Sequence, residues 1–219
     1  MTLSNETRCI NVDQMNCDFS PLKEQLIKGL ENVLVEVNHG IKTLKSDDYC
    51  LLGKLADIKG EFEKAEAVAA SFYLNCYLSP YTDKYSAIST SIQHLSNQKH
   101  GALIVIEREN HLDSFIRSGT PIGATLTHSL LESLFYPGNP LHDGAVLVRS
   151  NQIFSAANVL PLSNIVVGEK KLGTRHRAAI GLSEVSDALV LVVSEETGKV
   201  SFAMNGEIHP IITSSALFV

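Results

Sequence analysis

The sequence predicts an α/β or α+β globular domain preceded by an N-terminal α-helical hairpin, and two observations predict it. Over residues 20–100 the apolar residues recur at three and four, the period of a helix with one buried face. From Gly101 the pattern changes to short apolar runs rich in branched residues, separated by helical stretches, which is the mixture expected of strands and helices packed in layers. Three parts follow: a polar tail over 1–19, a helical hairpin over 20–80, and the α/β domain over 81–219.

The elements can be justified in order. Ser20 and Pro21 suit the N-cap and first position of a helix, and Leu22, Leu26, Ile27, Leu30, Val33, Leu34, Val37, Ile41 and Leu44 then form one stripe. Lys45-Ser46-Asp47-Asp48 breaks it. A second helix carries Leu51, Leu52, Leu55, Ile58, Phe62, Ala65, Val68, Ala69 and Phe72, and should stop before Pro80 because proline disfavours helical backbone at the residue before it. A third begins after Asp83 with Tyr85, Ile88, Ile92 and Leu95 on one side. Strands are expected over Gly101–Glu107, Gly144–Arg149, Gln152–Asn158, Ala188–Ser194 and Val200–Asn205, with helices over Thr127–Phe135 and Thr174–Leu182.

Composition excludes several functions. The 219 residues are 44% hydrophobic and 19% charged, enough to bury a core. A net charge of -6 argues against duplex DNA as a main partner, since a polyanion selects for a basic face. No segment reaches the ~20 uninterrupted apolar residues of a membrane span, and the polar N-terminus lacks a signal-peptide core. Cys9, Cys17, Cys50 and Cys76 are irregularly spaced, with no C-x-x-C pair, and read as reduced thiols. A cytoplasmic protein without nucleic-acid or membrane partners is expected. The glycine-rich dinucleotide and P-loop fingerprints and the G-x-S-x-G elbow are all missing.

Three polar clusters interrupt the apolar half. In Leu141-His142-Asp143-Gly144-Ala145 the turn-forming Pro137-Gly138-Asn139-Pro140 comes first, so Asp143 is an acid delivered to a strand start rather than a turn residue. Gly144 and Ala145 leave room for a ligand beside the backbone. In Gly173-Thr174-Arg175-His176-Arg177 a glycine and a threonine N-cap open a helix whose first turn is basic. That opposes the helix dipole unless an anion offsets it, and free amides with two guanidiniums make a phosphate cradle. In Ser194-Glu195-Glu196-Thr197-Gly198 two acids follow an apolar strand, a pattern that alone would be surface decoration in a hairpin turn. Beside Asp143 and a phosphate-binding helix start, carboxylates at strand ends suit a Mg²⁺ or Mn²⁺ nucleotide site.

These blocks, with Gly101-Ala102-Leu103-Ile104-Val105-Ile106-Glu107 before them and Leu160-Pro161-Leu162-Ser163 between, resemble the signature blocks of the diadenylate cyclase family over about residues 97–206. The resemblance implies a mixed central sheet flanked by helices, and an enzyme that condenses two ATP into cyclic di-AMP with release of two pyrophosphates, using Mn²⁺ or Mg²⁺. Under it, Asp143 is the metal-linked acid that helps activate the 3′-hydroxyl, with Gly144 and Ala145 beside the ribose. Thr174, Arg175, His176 and Arg177 hold the phosphates, Ser194 and Glu196 complete the phosphate and metal site, and the backbone at Leu160 contacts adenine. His142 is expected to be structural and Glu195 to lie at the surface. Each site holds one ATP, so two subunits must meet face to face. The N-terminal hairpin resembles that of the short, sporulation-associated type of bacilli, which implies a hexameric, self-inhibited homo-oligomer. The alternative is a non-catalytic sensor of ATP or cyclic di-AMP on the same fold; the intact Asp143, Arg175, Arg177 and Glu196 favour the enzyme.

Overall fold

In the computed structural model, residues 20–45, 51–117, 119–164 and 172–212 are described, the side chains of 20–22, 45, 51 and 75 excepted. The predicted tail over 1–19 and the break at 46–48 lie outside them. Among the described residues five helices and seven strands follow in this order: α1 (Ser20–Lys45), α2 (Leu51–Leu78), α3 (Tyr85–Gln98), β1 (Ala102–Ile106), β2 (Thr120–Thr125), α4 (His128–Leu134), β3 (Ala145–Arg149), β4 (Gln152–Asn158), α5 (Thr174–Val185), β5 (Leu189–Val193), β6 (Val200–Met204) and β7 (Glu207–Ile211). The strands form one mixed sheet in the order β2-β4-β3-β1-β5-β6-β7, and only the β1–β3 pair is parallel.

The central strands are buried on both faces, which is why they read as continuous apolar runs. Side-chain alternation along β1 sends Ala102, Ile104 and Ile106 to one face and Leu103 and Val105 to the other. On the first face they meet Ala70, Leu74 and Leu78 of α2, Ile88, Ile92 and Leu95 of α3, and Leu131 and Leu134 of α4. The second face is covered by Ala178, Ala179, Ile180 and Leu182 of α5, with Leu112 and Ile116.

Two strands escape the sequence reading, and both for the same reason. β2 (TPIGAT) and β7 (EIHPI) each contain a proline, which cannot donate to a sheet ladder, and both lie at sheet edges, where that loss is tolerated. The expected bounds of β4 are met, and the other boundaries match expectation or differ from it by at most three residues.

The α1 stripe is wider than α2 can cover. Gly29 and Gly40 let the two helices approach closely, a Cβ on Gly29 falling 3.3 Å from the Ala65 side chain. Yet Ile27, Leu30, Leu34, Ile41 and Leu44, with Leu52, Leu55 and Phe62 of α2, remain about half exposed or more. The far end of α2 is instead anchored to the sheet, where Ser71 Oγ accepts from the Ile212 amide at 3.0 Å. Cys76, buried on that end, is disulfide-bonded, which corrects the expectation of reduced thiols at this position. Spacing along a chain does not report which sulfurs a fold brings together; Cys9, Cys17 and Cys50 lie outside the described residues.

Candidate active site

The strand directions gather the three polar clusters at one end of the sheet. Parallel pairing of β1 with β3 (Ile104 opposite Val146) puts Gly101 and Asp143 at the starts of adjacent strands. Antiparallel pairing of β1 with β5 (Ala102 opposite Val193) brings Ser194 to the same end. Continued from Asn158 opposite Ala145, the β3–β4 ladder draws Leu160 alongside Asp143. Residues far apart in the sequence thus share one rim.

Asp143 is exposed at that rim, and the turn before it is built by other groups. The Asn139 side chain accepts from the Leu141 amide at 2.8 Å and donates to the Ser133 carbonyl at 2.8 Å. His142 Nδ1 lies 2.6 Å from the Asn139 carbonyl, a bond in which the ring donates and is held in place. Gly144 has a φ of 107°, a left-handed region open to glycine, and a Cβ there would sit 2.8 Å from the Ala157 backbone carbon. The first strand residue is fixed by Asn158, which is buried: its amide donates to the Ala145 carbonyl at 2.8 Å, while its oxygen accepts from the Gly119 amide and Ser155 Oγ, each at 2.9 Å.

α5 begins one residue earlier than the expected threonine cap. Gly173, in extended conformation, is the N-cap and Thr174 the first helical residue. A glycine cap offers no side-chain oxygen, so the amides of the first turn are left to another acceptor. That turn contains no acid. Arg175 lies against the start of β1, where a Cβ on Gly101 would be 2.6 Å from its Nη1. Its Nη1 also pairs with Glu195 at 2.7 Å. Arg177 donates through Nε to the Ser163 carbonyl at 3.2 Å, and the Ser163 amide returns a bond to the Arg177 carbonyl at 3.0 Å. The Leu160–Ser163 loop therefore lies on α5, close enough that a Cβ on Gly181 would fall 2.4 Å from the Pro161 oxygen.

His176 is half-buried, and burial lowers its pKa, with the Glu196 carboxylate nearby opposing the shift. Ser194 closes the following turn: its carbonyl accepts from the Gly198 amide at 2.8 Å and its amide donates to the Lys199 carbonyl at 2.9 Å. Glu196 and Thr174 are exposed, and Leu160 is buried in the core on the α5 side.

Three participants are missed by sequence reasoning. Glu195 is expected at the surface, and 63% of its side chain is exposed, but it also holds Arg175 in place; an acid beside an arginine cluster is the available signal. Gly101 reads only as a strand start, and Asn158 only as a strand end. Their roles depend on partners 74 and 13 residues away, which no local pattern reports.

A sheet end with an exposed acid, an open helix N-terminus and an arginine seated on the start of β1 has the groups that suit a nucleotide's phosphates. Comparison with known proteins narrows the class. Residues 89–208 match the family described as "DisA bacterial checkpoint controller nucleotide-binding", and residues 13–81 match "Diadenylate cyclase CdaS, N-terminal". The chain is 54% identical over 190 residues to the diadenylate cyclase CdaS of Bacillus thuringiensis (strain BMB171), spanning 87% of this chain and 94% of that protein. To the cyclic di-AMP synthase CdaS of Bacillus subtilis (strain 168) it is 48% identical over 200 residues, 89% of this chain and 96% of that one. Among solved structures, a protein of Bacillus cereus described as a hypothetical membrane spanning protein superposes with a TM-score of 0.72 at 53% identity, over 88% of this chain and 95% of that chain. DacA of Staphylococcus aureus superposes with a TM-score of 0.57 at 42% identity, over 61% of this chain and 89% of that chain. The chain belongs to the diadenylate cyclase family, and the enzyme class expected from the sequence holds. Among the described residues no helix is long and apolar enough to cross a membrane.

Proposed function

We propose that the protein condenses two ATP into cyclic di-3′,5′-AMP and two pyrophosphates. The observation that carries this reading is the meeting of Asp143, the Arg175 side chain seated on Gly101 and the open start of α5 at one sheet end. In each half-reaction the 3′-oxygen of one ATP bonds to the α-phosphorus of the other, the bond from that phosphorus to pyrophosphate breaks, and the hydroxyl proton is lost. Little covalent chemistry is asked of the protein; alignment and charge do the catalysis.

In this reading Asp143 faces the attacking 3′-hydroxyl, and Gly144 and Ala145 leave space for the ribose. Thr174, Arg175, His176 and Arg177 hold the phosphates, and Ser194 and Glu196 close the far side. The loop backbone at Leu160 meets adenine. A neutral His176, favoured by its burial, donates a hydrogen bond to phosphate without a full charge. The exposed carboxylates of Asp143 and Glu196 are hard oxygen donors that fit Mg²⁺ or Mn²⁺. When bound, such an ion lowers the hydroxyl's pKa and offsets phosphate charge.

One chain carries one such rim, so cyclisation needs two chains face to face. We divide the protein into a tail (1–19), a regulatory hairpin (20–80) and the catalytic domain (81–219); separate family matches over 13–81 and 89–208 support setting the hairpin apart from the catalytic part. The half-exposed apolar side chains of α1 and α2 support a hairpin that joins subunits, up to a hexamer, and holds the rims apart. The cytoplasm is the compartment that supplies ATP, and the reaction is assigned there on that ground. The test is incubation with ATP and Mn²⁺ or Mg²⁺ followed by separation of the nucleotides. Wild type is expected to form cyclic di-AMP, and Asp143→Asn to form none while keeping its fold. Equal product from both would overturn the assignment of Asp143.

A further inference from the structure

Away from the rim, two histidines and a glutamate meet between α3 and α4. His128 and Glu132 stand one turn apart on α4, and His94 reaches them from α3. Glu132 Oε1 lies 2.9 Å from His94 Nδ1 and 3.1 Å from His128 Nδ1. The two rings are nearly perpendicular, with centroids 6.2 Å apart. One ligand atom from each residue lies within 4.8 Å of the others, and this is the one such cluster among the described residues.

We infer that His94, His128 and Glu132 form a second metal site, one that takes Zn²⁺ or a related borderline transition ion and clamps α3 to α4. The donor set decides the class. Two imidazole nitrogens and one carboxylate suit Zn²⁺, Co²⁺ or Ni²⁺, whereas Mg²⁺ and Mn²⁺ prefer oxygen, so this site is separate from the catalytic requirement proposed above. With metal–ligand bonds of about 2.0–2.2 Å, neighbouring ligands of a tetrahedral ion stand about 3.3 Å apart. The two measured edges of 2.9 and 3.1 Å need to open by only a few tenths of an ångström.

The supports are rigid. Ile92 and Leu95 of α3 and Leu131 and Leu134 of α4 are buried in the same core, so the helices that carry the ligands are already packed together. The ligands themselves are reachable, with the side chains of His94, His128 and Glu132 46%, 49% and 26% exposed. Water can therefore fill the fourth position. Glu132 also lines a groove of about 480 Å³ with Gln98, His100, Ser129, Ser133 and Tyr136. The consequence reaches the rim: α3 runs directly into Gly101, which seats Arg175, and α4 leads through the Asn139 turn into Asp143. An ion at this site ties together the two segments that enter the site from the α3–α4 face.

The test uses the full-length protein, freed of metal by a chelator, and reads binding itself rather than cyclase activity. Titration with Co²⁺ is expected to give the visible absorption of a tetrahedral ion, removed by Zn²⁺ and not by equal Mg²⁺ or Mn²⁺. The combined variant H94A/H128A/E132Q reports background binding by the other histidines and cysteines. Zn²⁺ is expected to bind wild type at least ~10-fold more tightly than His128→Ala or the combined variant, and to raise the melting temperature of wild type alone. X-ray absorption of the Zn²⁺-loaded wild type, which needs no variant to fold, is expected to show two imidazoles. Equal affinity for wild type and the combined variant, equal displacement by Mg²⁺, or a zinc shell without two imidazoles would each reduce the cluster to hydrogen bonding alone.

Discussion

Replacing Gly101 by alanine perturbs the candidate site through a single methyl group. The added Cβ would lie 2.6 Å from Arg175 Nη1, 2.8 Å from its Cζ and 3.0 Å from the Glu195 Cβ. Comfortable contact lies near 3.5–4.0 Å, so the guanidinium must move by about 1 Å. The backbone contributes no strain, because Gly101 is absent from the positive-φ glycines. The hydrophobic core stays intact, since the two nearest obstructing atoms are the end of the flexible Arg175 side chain and the third, the Glu195 Cβ, belongs to an exposed turn that need give only a few tenths of an ångström, so the stability change should stay within about 1 kcal/mol. Catalysis is less forgiving: a 1 Å misplacement of a phosphate-holding group can cost about 100-fold in rate, or about 2.7 kcal/mol of barrier. The assay is ATP conversion to cyclic di-AMP for wild type, Gly101→Ala, Arg175→Ala and the double variant, alongside thermal melts. If Gly101 acts by seating Arg175, the double variant should be no slower than Arg175→Ala alone. Wild-type turnover by Gly101→Ala, or fully additive losses, would refute the reasoning.

Other expectations follow from single contacts. Asn158→Ala removes the partners of the Gly119 amide and the Ala145 carbonyl in a buried setting, and should destabilise the protein by about 2–5 kcal/mol in urea unfolding. His176 has a folded pKa below the ordinary 6.5, so the unfolded chain takes up its proton first; stability from this residue is complete above that value and is lost as pH falls through the folded pKa. His176→Gln should therefore flatten the loss of stability on acidification, as measured by melts from pH 7.5 to 5. Leu44→Ala and Leu55→Ala alter side chains 58% and 51% exposed in the single chain, so monomer stability should change little. Light scattering should show smaller assemblies, with higher activity per chain; unchanged mass and activity would remove the inhibitory role of the hairpin.

The legible parts of the fold are those with strong periodicity and two buried faces. β1 and β5 are wholly buried and appear as unbroken apolar runs, and the buried side of α3 is readable from Ile88, Ile92 and Leu95. β2 and β7 are hidden because an edge strand needs neither burial on both faces nor every ladder bond, and so tolerates the proline that argues against a strand. The α1 stripe is visible in full, but its width conceals two surfaces, one against α2 and one left open.

The sequence by itself determined the chemical vocabulary of the rim. An acid after a completed turn, a basic helix start behind glycine and acids after an apolar strand are local facts, fixed by neighbours within a few residues. Tertiary structure alone decided how those pieces meet. Strand direction brings Gly101, Asp143 and Ser194 to one end; Gly101 seats an arginine 74 residues away; Asn158 holds the start of β3; Cys76 is disulfide-bonded; and α3 and α4 bring His94 to His128 and Glu132. Such encounters depend on sheet order and helix packing, which arise from burial summed over the whole core and leave no mark in the spacing of any one segment.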